Sequence, residues 1–181
     1  SGLLEAIYSN LYQIVIGKKF NPGAVGEFTQ ANQLACVPAV TLTNIIQRVT
    51  YPMLSQLQKD TIRMDTIHRL SLRLSAIIIF PLIMGLAIIA NPLLIITLVE
   101  QWQVAANLLS ILCFGYMLYP IHAINLNLLQ VKGRSDLFLK VEVIKKVFGV
   151  CILIFTMQFN VLSMVLGLSF LSFVSLILNT Y

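Results

Sequence analysis

Charged residues are scarce in this sequence, because Asp, Glu, Lys and Arg together make up only 10% of its 181 residues. Apolar residues make up 58%, and the mean hydropathy is +0.88. Soluble globular domains carry about 25% charged residues, so the composition argues against that class and predicts a membrane protein. A hydrocarbon core of about 30 Å takes roughly 20 helical residues to cross, and the apolar runs are long enough to do so. The predicted fold class is all-α, a polytopic bundle of transmembrane helices.

The signatures of several enzyme and binding classes are also missing. Cys36, Cys113 and Cys151 lie far apart among apolar residues, so they predict neither a disulfide framework nor a zinc site and are expected in the core. The segment IGKKF lacks the spaced glycine and the Ser or Thr of a phosphate-binding loop. No nucleophile with a base and an orienting group is evident. We therefore expect no enzymatic activity, no cofactor and no metal, and the absence of a basic aromatic patch predicts no nucleic-acid partner.

The start of the chain, SGLLEAIYSN, has no cationic region before an apolar core and no small-residue cleavage pattern. It therefore does not resemble a signal peptide. The chain also stops at Tyr181 directly after an apolar run. These features predict a fragment of a larger protein.

Apolar runs and helical periodicity predict six membrane spans and one connecting helix. The predicted spans are residues 3–16, 28–53, 74–90, 105–130, 137–159 and 161–178, and the basic connector is residues 54–73. Prolines inside three of the spans predict bends, because a proline frees a carbonyl of the preceding turn. These are Pro38, Pro81 and Pro120.

The cations of the chain concentrate in the connector and after the fourth span. Loops rich in Lys and Arg are retained on the cytoplasmic side of a membrane. If the turn from Lys132 to Arg134 is cytoplasmic, alternation of six spans leaves only Lys18 and Lys19 outside and places nine cations inside. The nine are Lys59, Arg63, Arg69, Arg73, Lys132, Arg134, Lys140, Lys145 and Lys146. This distribution predicts a cytoplasmic start of the chain.

Five stretches, taken in chain order, carry a family resemblance over nearly the whole sequence. They are IVIGKKFNPGAVGEFTQAN, IIQRVTYPMLSQLQKD, FPLIMGLA, LVEQW and YPIHAINLNLLQVKGRSDLFLKVEVIKK. These stretches closely resemble the Wzx-type polysaccharide flippases of the multidrug/oligosaccharidyl-lipid/polysaccharide exporter superfamily. The resemblance implies a bacterial cytoplasmic-membrane protein of fourteen helices in two lobes. Residues 1–181 would then form part of the second, C-terminal lobe.

Polar side chains recur on one face of the second predicted span, interrupted only by Val37. They are Gln30, Gln33, Thr41, Asn44 and Arg48. Such a stripe is costly in lipid, so it predicts the wall of a water-filled cavity. The guanidinium of Arg48 offers forked donors suited to a phosphate or pyrophosphate. The alternative is that Arg48 extends to the cytoplasmic interface beside Tyr51 and Pro52.

The fourth predicted span adds two polar candidates, His122 and Asn125. His122 fits a proton-responsive or sugar-binding group in the cavity, and the alternative is a histidine that is hydrogen-bonded between helices. With Gln33, Asn44 and Arg48, these two residues make up the predicted substrate cavity. His68 has no metal-ligand partner at helical spacing, so no chemistry is assigned to it.

On this resemblance, the predicted function is the flipping of an undecaprenyl-pyrophosphate-linked oligosaccharide across the cytoplasmic membrane for surface polysaccharide biosynthesis. The implied partners are this lipid-linked oligosaccharide, membrane lipids and the missing N-terminal lobe. A cation-coupled drug exporter of the same superfamily stays open, although it would need an acidic residue deep within a span. A membrane-embedded glycan polymerase also stays open, although it would need a large external loop. A purely structural role for this part of the lobe is a further alternative.

Overall fold

The computed structural model describes residues 2–58, 60–98 and 102–180, and the side chains of these residues apart from 2–9, 97–98, 135 and 178–180. Every regular element within that part is helical, which confirms the all-α class. The helices are α1 (Gly2–Lys19), α2 (Pro22–Gln56), α3 (Thr61–Leu98), α4 (Gln103–Met117), α5 (Tyr119–Val131), α6 (Ser135–Thr156) and α7 (Val161–Thr180).

The turn between α1 and α2 is built by Asn21 and Pro22. The Asn21 side-chain oxygen accepts a hydrogen bond of 2.6 Å from the backbone N–H of Ala24, which caps the first turn of α2. Pro22 occupies the first helical turn, where its missing N–H has no intrahelical partner to lose. Behind this turn Tyr12 stacks on Phe28 with ring centroids 6.4 Å apart. These contacts hold α1 against the start of α2.

The core of the bundle lies around α4, which packs against α2, α3 and α7. Its buried residues occur on more than one face, as expected for a helix enclosed by neighbours. They are Ala105, Ala106, Leu108, Leu109, Leu112, Cys113 and Gly115. The predicted burial of the cysteines holds for Cys113 but is wrong for Cys151, which is exposed on α6.

No helix end separates the predicted connector at 54–73 from the predicted span at 74–90, because α3 runs without a break from Thr61 to Leu98. The division into a cytoplasmic connector and a span stays a prediction. No Gly or Pro lies between Thr61 and Phe80, so nothing local ends the helix at Arg73. The break falls earlier, at 57–60, where the Asp60 carboxylate accepts a hydrogen bond of 3.1 Å from the backbone N–H of Arg63. This bond satisfies a free donor of the first turn of α3. Lys59 lies outside the described residues.

The predicted span at 105–130 is divided into α4 and α5 at Leu118, two residues before Pro120. Proline fits the first turn of a helix and cannot continue the preceding one, which explains a break at this point. By contrast, α2 continues through Pro38 and α3 continues through Pro81. Two helical stretches of the described residues, Thr61–Ile96 and Gln103–Val131, are long and apolar enough to cross a membrane. The count of six spans stays a prediction.

The turn between α5 and α6 has the hydrogen bonds of a Schellman motif. The N–H of Gly133 donates to the carbonyl of Gln130, and the N–H of Arg134 donates to that of Leu129, each at 3.0 Å. Gly133 has a φ of 71°, in the left-handed region that this motif requires of its glycine. The turn therefore fixes the directions of Lys132 and Arg134 on either side of the glycine.

Gly133→Ala is expected to lower the free energy of unfolding of the complete protein by about 1 kcal/mol, because a Cβ is unfavourable in the left-handed region. Gly133→Asn is the matched variant, and it should lose less than half as much since asparagine adopts this conformation more readily. Thermal unfolding in detergent measures both. Equal stability of the alanine and wild-type proteins would contradict the assignment of this turn.

Candidate functional site

The polar stripe predicted on the second span lies on one outward face of α2. Gln33, Thr41, Asn44 and Arg48 are exposed, whereas Gln30, the first residue of the predicted stripe, is half-buried. Val37, the apolar residue among them, is 60% exposed. Side chains spaced by three or four residues share a helical face, so the spacing explains their common direction. Within the described chain, this face of α2 is not covered along these positions.

The opposite face of α2 is lined by small residues. Ala31, Ala35 and Ala39 are fully buried, and the buried Thr43 hydroxyl donates a hydrogen bond of 2.7 Å to the Ala39 carbonyl. Small side chains allow close approach between membrane helices. On this inner side, the Tyr116 hydroxyl of α4 donates a hydrogen bond of 2.9 Å to the Asn32 side-chain oxygen. Burial of this face sets the rotation of α2 and turns the polar stripe outward.

A groove opens where the polar stripe of α2 meets α5, with a volume of about 380 Å³. We call it the α2–α5 groove. Its lining residues are Asn44, Gln47, Arg48, Tyr51, Pro52 and Asn127. Arg48 lies eight residues before the end of α2, or about 12 Å along the helix axis. The groove is therefore close to the end of the bundle that carries the 57–60 and 132–134 turns.

The chemistry of the α2–α5 groove combines one cation with three amides and one aromatic ring. Arg48 is exposed and forms no ion pair with any residue that the structure describes, so its guanidinium is available to an anion. Asn44, Gln47 and Asn127 each carry both donors and an acceptor, which suits hydroxyl-rich ligands. Tyr51 is 40% exposed and presents an apolar ring with a polar tip. A sugar phosphate matches this combination.

The five predicted site residues do not come together in one place. Asn44 and Arg48 line the α2–α5 groove, whereas Gln33 is exposed further toward the start of α2. Asn125 lies between α5 and α3, where its side-chain oxygen is 3.1 Å from Nε2 of His68. His122 hydrogen-bonds the backbone of Ser172 on α7, as in the interhelical alternative for this residue. Roles in substrate binding stay predictions for all five.

Four lining residues, Gln47, Tyr51, Pro52 and Asn127, are not among the predicted candidates. Gln47 and Tyr51 follow Asn44 at steps of three and four, so the helical spacing was available as a signal. Asn127 follows Asn125 by two residues, which places their side chains about 200° apart around a helix. Only one of the two can face α2, and the sequence does not show which.

Comparison with known proteins identifies a family for this chain. Residues 1–107 match the family described as "Polysaccharide biosynthesis protein". The chain belongs to this family. No solved structure matches the chain significantly.

The chain is similar to proteins of several bacteria. The chain is 28% identical over 143 residues to the lipopolysaccharide biosynthesis protein WzxC of Escherichia coli, covering 79% of this chain and 29% of the relative. It is 26% identical over 139 residues to the teichuronic acid biosynthesis protein TuaB of Bacillus subtilis, covering 76% and 28%. It is 24% identical over 102 residues to the succinoglycan biosynthesis transport protein ExoT of Rhizobium meliloti, covering 56% and 21%. The chain thus spans less than a third of the length of these relatives.

Proposed function

We propose that the complete protein flips a lipid-linked oligosaccharide, an undecaprenyl-pyrophosphate-linked sugar unit, across the bacterial cytoplasmic membrane for surface polysaccharide biosynthesis. The chain is part of its second lobe, the N-terminal lobe is its partner, and the role is transport rather than catalysis. The observation that supports this most directly is the outward polar face of α2, with Arg48 in the α2–α5 groove. The family membership and the word "transport" in the name of ExoT add to it.

The exposed polar face of α2 would be costly in contact with lipid. Amides and a guanidinium are expensive against lipid, so a membrane helix places them toward water or a protein partner. The buried alanines face the rest of this chain, so the polar face is left for a cavity between two lobes. A cavity of this kind supplies the hydrated path that sugars need. The lobes would rock about it, exposing it to one membrane side at a time.

The α2–α5 groove has a chemical counterpart for each polar part of such a substrate. The planar guanidinium of Arg48 can donate two parallel hydrogen bonds to a phosphate. The amides of Asn44, Gln47 and Asn127 suit sugar hydroxyls, which both donate and accept hydrogen bonds. In this proposal Asn127 takes the sugar-facing place that the sequence suggested for Asn125, because Asn125 contacts His68 instead.

Deletion of the gene in its native host tests the proposal, with lipid-linked oligosaccharide quantified on each membrane face. Flipping predicts that complete units accumulate on the cytoplasmic face, and that the wild-type gene restores their export. Units that reach the outer face and stay unpolymerised would instead identify a glycan polymerase. An unchanged pool would contradict both and leave drug export by the same superfamily.

A further inference from the structure

A second groove lies where the turn between α2 and α3 meets the turn between α5 and α6. It has a volume of about 560 Å³ and shares no lining residue with the α2–α5 groove. We call it the loop groove. Its lining residues are Gln58, Thr61, Met64, Val131, Lys132, Gly133 and Arg134. The two turns that form it are separated by more than 70 residues of chain, so the groove exists only in the folded bundle.

The two turns that form the loop groove are held together by a hydrogen bond and a buried apolar cluster. The Gln58 side-chain amide donates a hydrogen bond of 2.8 Å to the Val131 carbonyl, which joins the two turns directly. Beneath them Leu54, Met64 and Val131 form a small buried apolar cluster, separate from the main core. The Schellman hydrogen bonds at Gly133 and Arg134 fix the basic turn. The walls are therefore preorganised, which lowers the entropy cost of binding a ligand.

The charge of the loop groove is positive. Lys132 and Arg134 are exposed, and neither forms an ion pair within the described part of the chain. Of the nearby carboxylates, Asp60 is paired with Arg63 at 3.2 Å, and Asp136 is exposed in the first turn of α6. Thr61 adds a hydroxyl donor at the wall. A guanidinium, an ammonium and a hydroxyl among the lining residues are donors suited to a phosphate.

We propose that the loop groove binds the phosphate of an anionic phospholipid headgroup. A lipid is favoured over a free phosphate because apolar side chains close in sequence to the lining residues are exposed in the described chain. Ile62 directly follows Thr61 and is 80% exposed, and Leu139, one turn into α6, is 50% exposed. Such residues fit hydrocarbon, whereas a site for a water-soluble anion would be surrounded by polar surface. On the predicted topology the groove faces the cytoplasmic leaflet, whose anionic lipids attract basic segments.

This site differs from the proposed transport groove in the ligand that it binds and in the effect of binding. It would hold a resident membrane lipid against the two turns that the Gln58–Val131 hydrogen bond already joins. Its existence does not depend on which substrate the complete protein moves. Lipid binding can therefore be measured without any transport assay.

The test is native mass spectrometry of the complete protein in detergent, titrated with short-chain phosphatidylglycerol, with phosphatidylcholine and with inorganic phosphate. The double variant Lys132→Gln/Arg134→Gln should bind phosphatidylglycerol roughly 30-fold more weakly than wild type, since each cation near an anionic lipid contributes roughly fivefold. The matched control Lys18→Gln/Lys19→Gln removes two exposed cations from the end of α1 and should leave the affinity unchanged. Wild type should prefer phosphatidylglycerol to phosphatidylcholine, and millimolar phosphate should not displace the lipid.

A charge-conserving variant, Lys132→Arg/Arg134→Lys, guards against a loss caused by misfolding, and it should retain binding within about threefold. Three results would overturn the proposal. One is unchanged lipid affinity in the glutamine variant, and another is an equal loss in the Lys18/Lys19 control. The third is displacement of the lipid by inorganic phosphate, which would assign the groove to a soluble anion.

Discussion

Arg48→Ala in the complete protein is expected to reduce polysaccharide export about 100-fold while leaving membrane insertion unchanged. Truncating one partner of a charge pair held away from water costs roughly 2–5 kcal/mol, and the closed cavity would hold the pyrophosphate in that way. Insertion should survive because Arg48 is exposed on α2 and carries no packing in the core. The measurement is surface polysaccharide in a deletion strain that expresses the variant, with the amount of protein in the membrane fraction determined in parallel.

Two further variants test whether Arg48 acts through a forked contact with a phosphate or only through its positive charge. Arg48→Lys keeps the positive charge but loses the forked geometry, so export should fall to an intermediate level. Arg63→Ala removes another exposed guanidinium, one that pairs with Asp60 on the surface, and should leave export near wild type. Normal export with Arg48→Ala would favour the alternative in which this side chain merely extends to the membrane interface.

Gly115→Leu is expected to destabilise the bundle by about 2–4 kcal/mol, the largest stability effect we predict for a single substitution. A Cβ at Gly115 would lie 3.2 Å from Cα of Ser169 and 3.3 Å from its Oγ, so the obstacle includes the backbone of α7 itself. Ser169 Oγ also donates a hydrogen bond of 2.8 Å to the Ile111 carbonyl of α4. A leucine must push α7 away, which adds the loss of this bond to the cost of overpacking.

The matched control is Gly85→Leu, because a Cβ at Gly85 meets no atom within 4 Å in the described chain. Gly115→Leu should lower the thermal midpoint in detergent by at least about 5 °C, while Gly85→Leu should leave it nearly unchanged. Size-exclusion chromatography after heating provides the measurement. A similar midpoint for the two variants would show that α4 and α7 do not approach each other this closely.

Sequence patterns predicted the position of α2 but not the start of α3. Apolar residues and polar residues at helical spacing placed α2 and its polar face, because both signals come from neighbours on one helix. The start of α3 was missed because the basic composition of 54–73 suggested a separate helix. The actual break at 57–60 depends on a tight turn and on the Asp60 capping bond. Composition changes along a helix need not coincide with its ends.

Some residues of the candidate site could also be identified from the sequence, and others could not. Asn44 and Arg48 could be found from periodicity, since they lie on one stripe of one helix. Asn125 and Asn127 could not be told apart, because the choice depends on how α5 is rotated against α2 and α3. The contact between His68 and Asn125, which are 57 residues apart, depends on that rotation. His122 likewise faces α7, a helix that no pattern near residue 122 identifies.

The sequence by itself determined that this protein is an apolar all-helical chain, that α2 carries one polar face, and that its cations cluster in particular segments. These properties follow from composition and from spacing within single helices. Only the tertiary structure decided which residues share the α2–α5 groove and that Gln58 and Val131 join two distant turns into the loop groove. The physical reason is that a groove depends on the rotation and packing of helices, which are set by contacts between residues far apart in the chain.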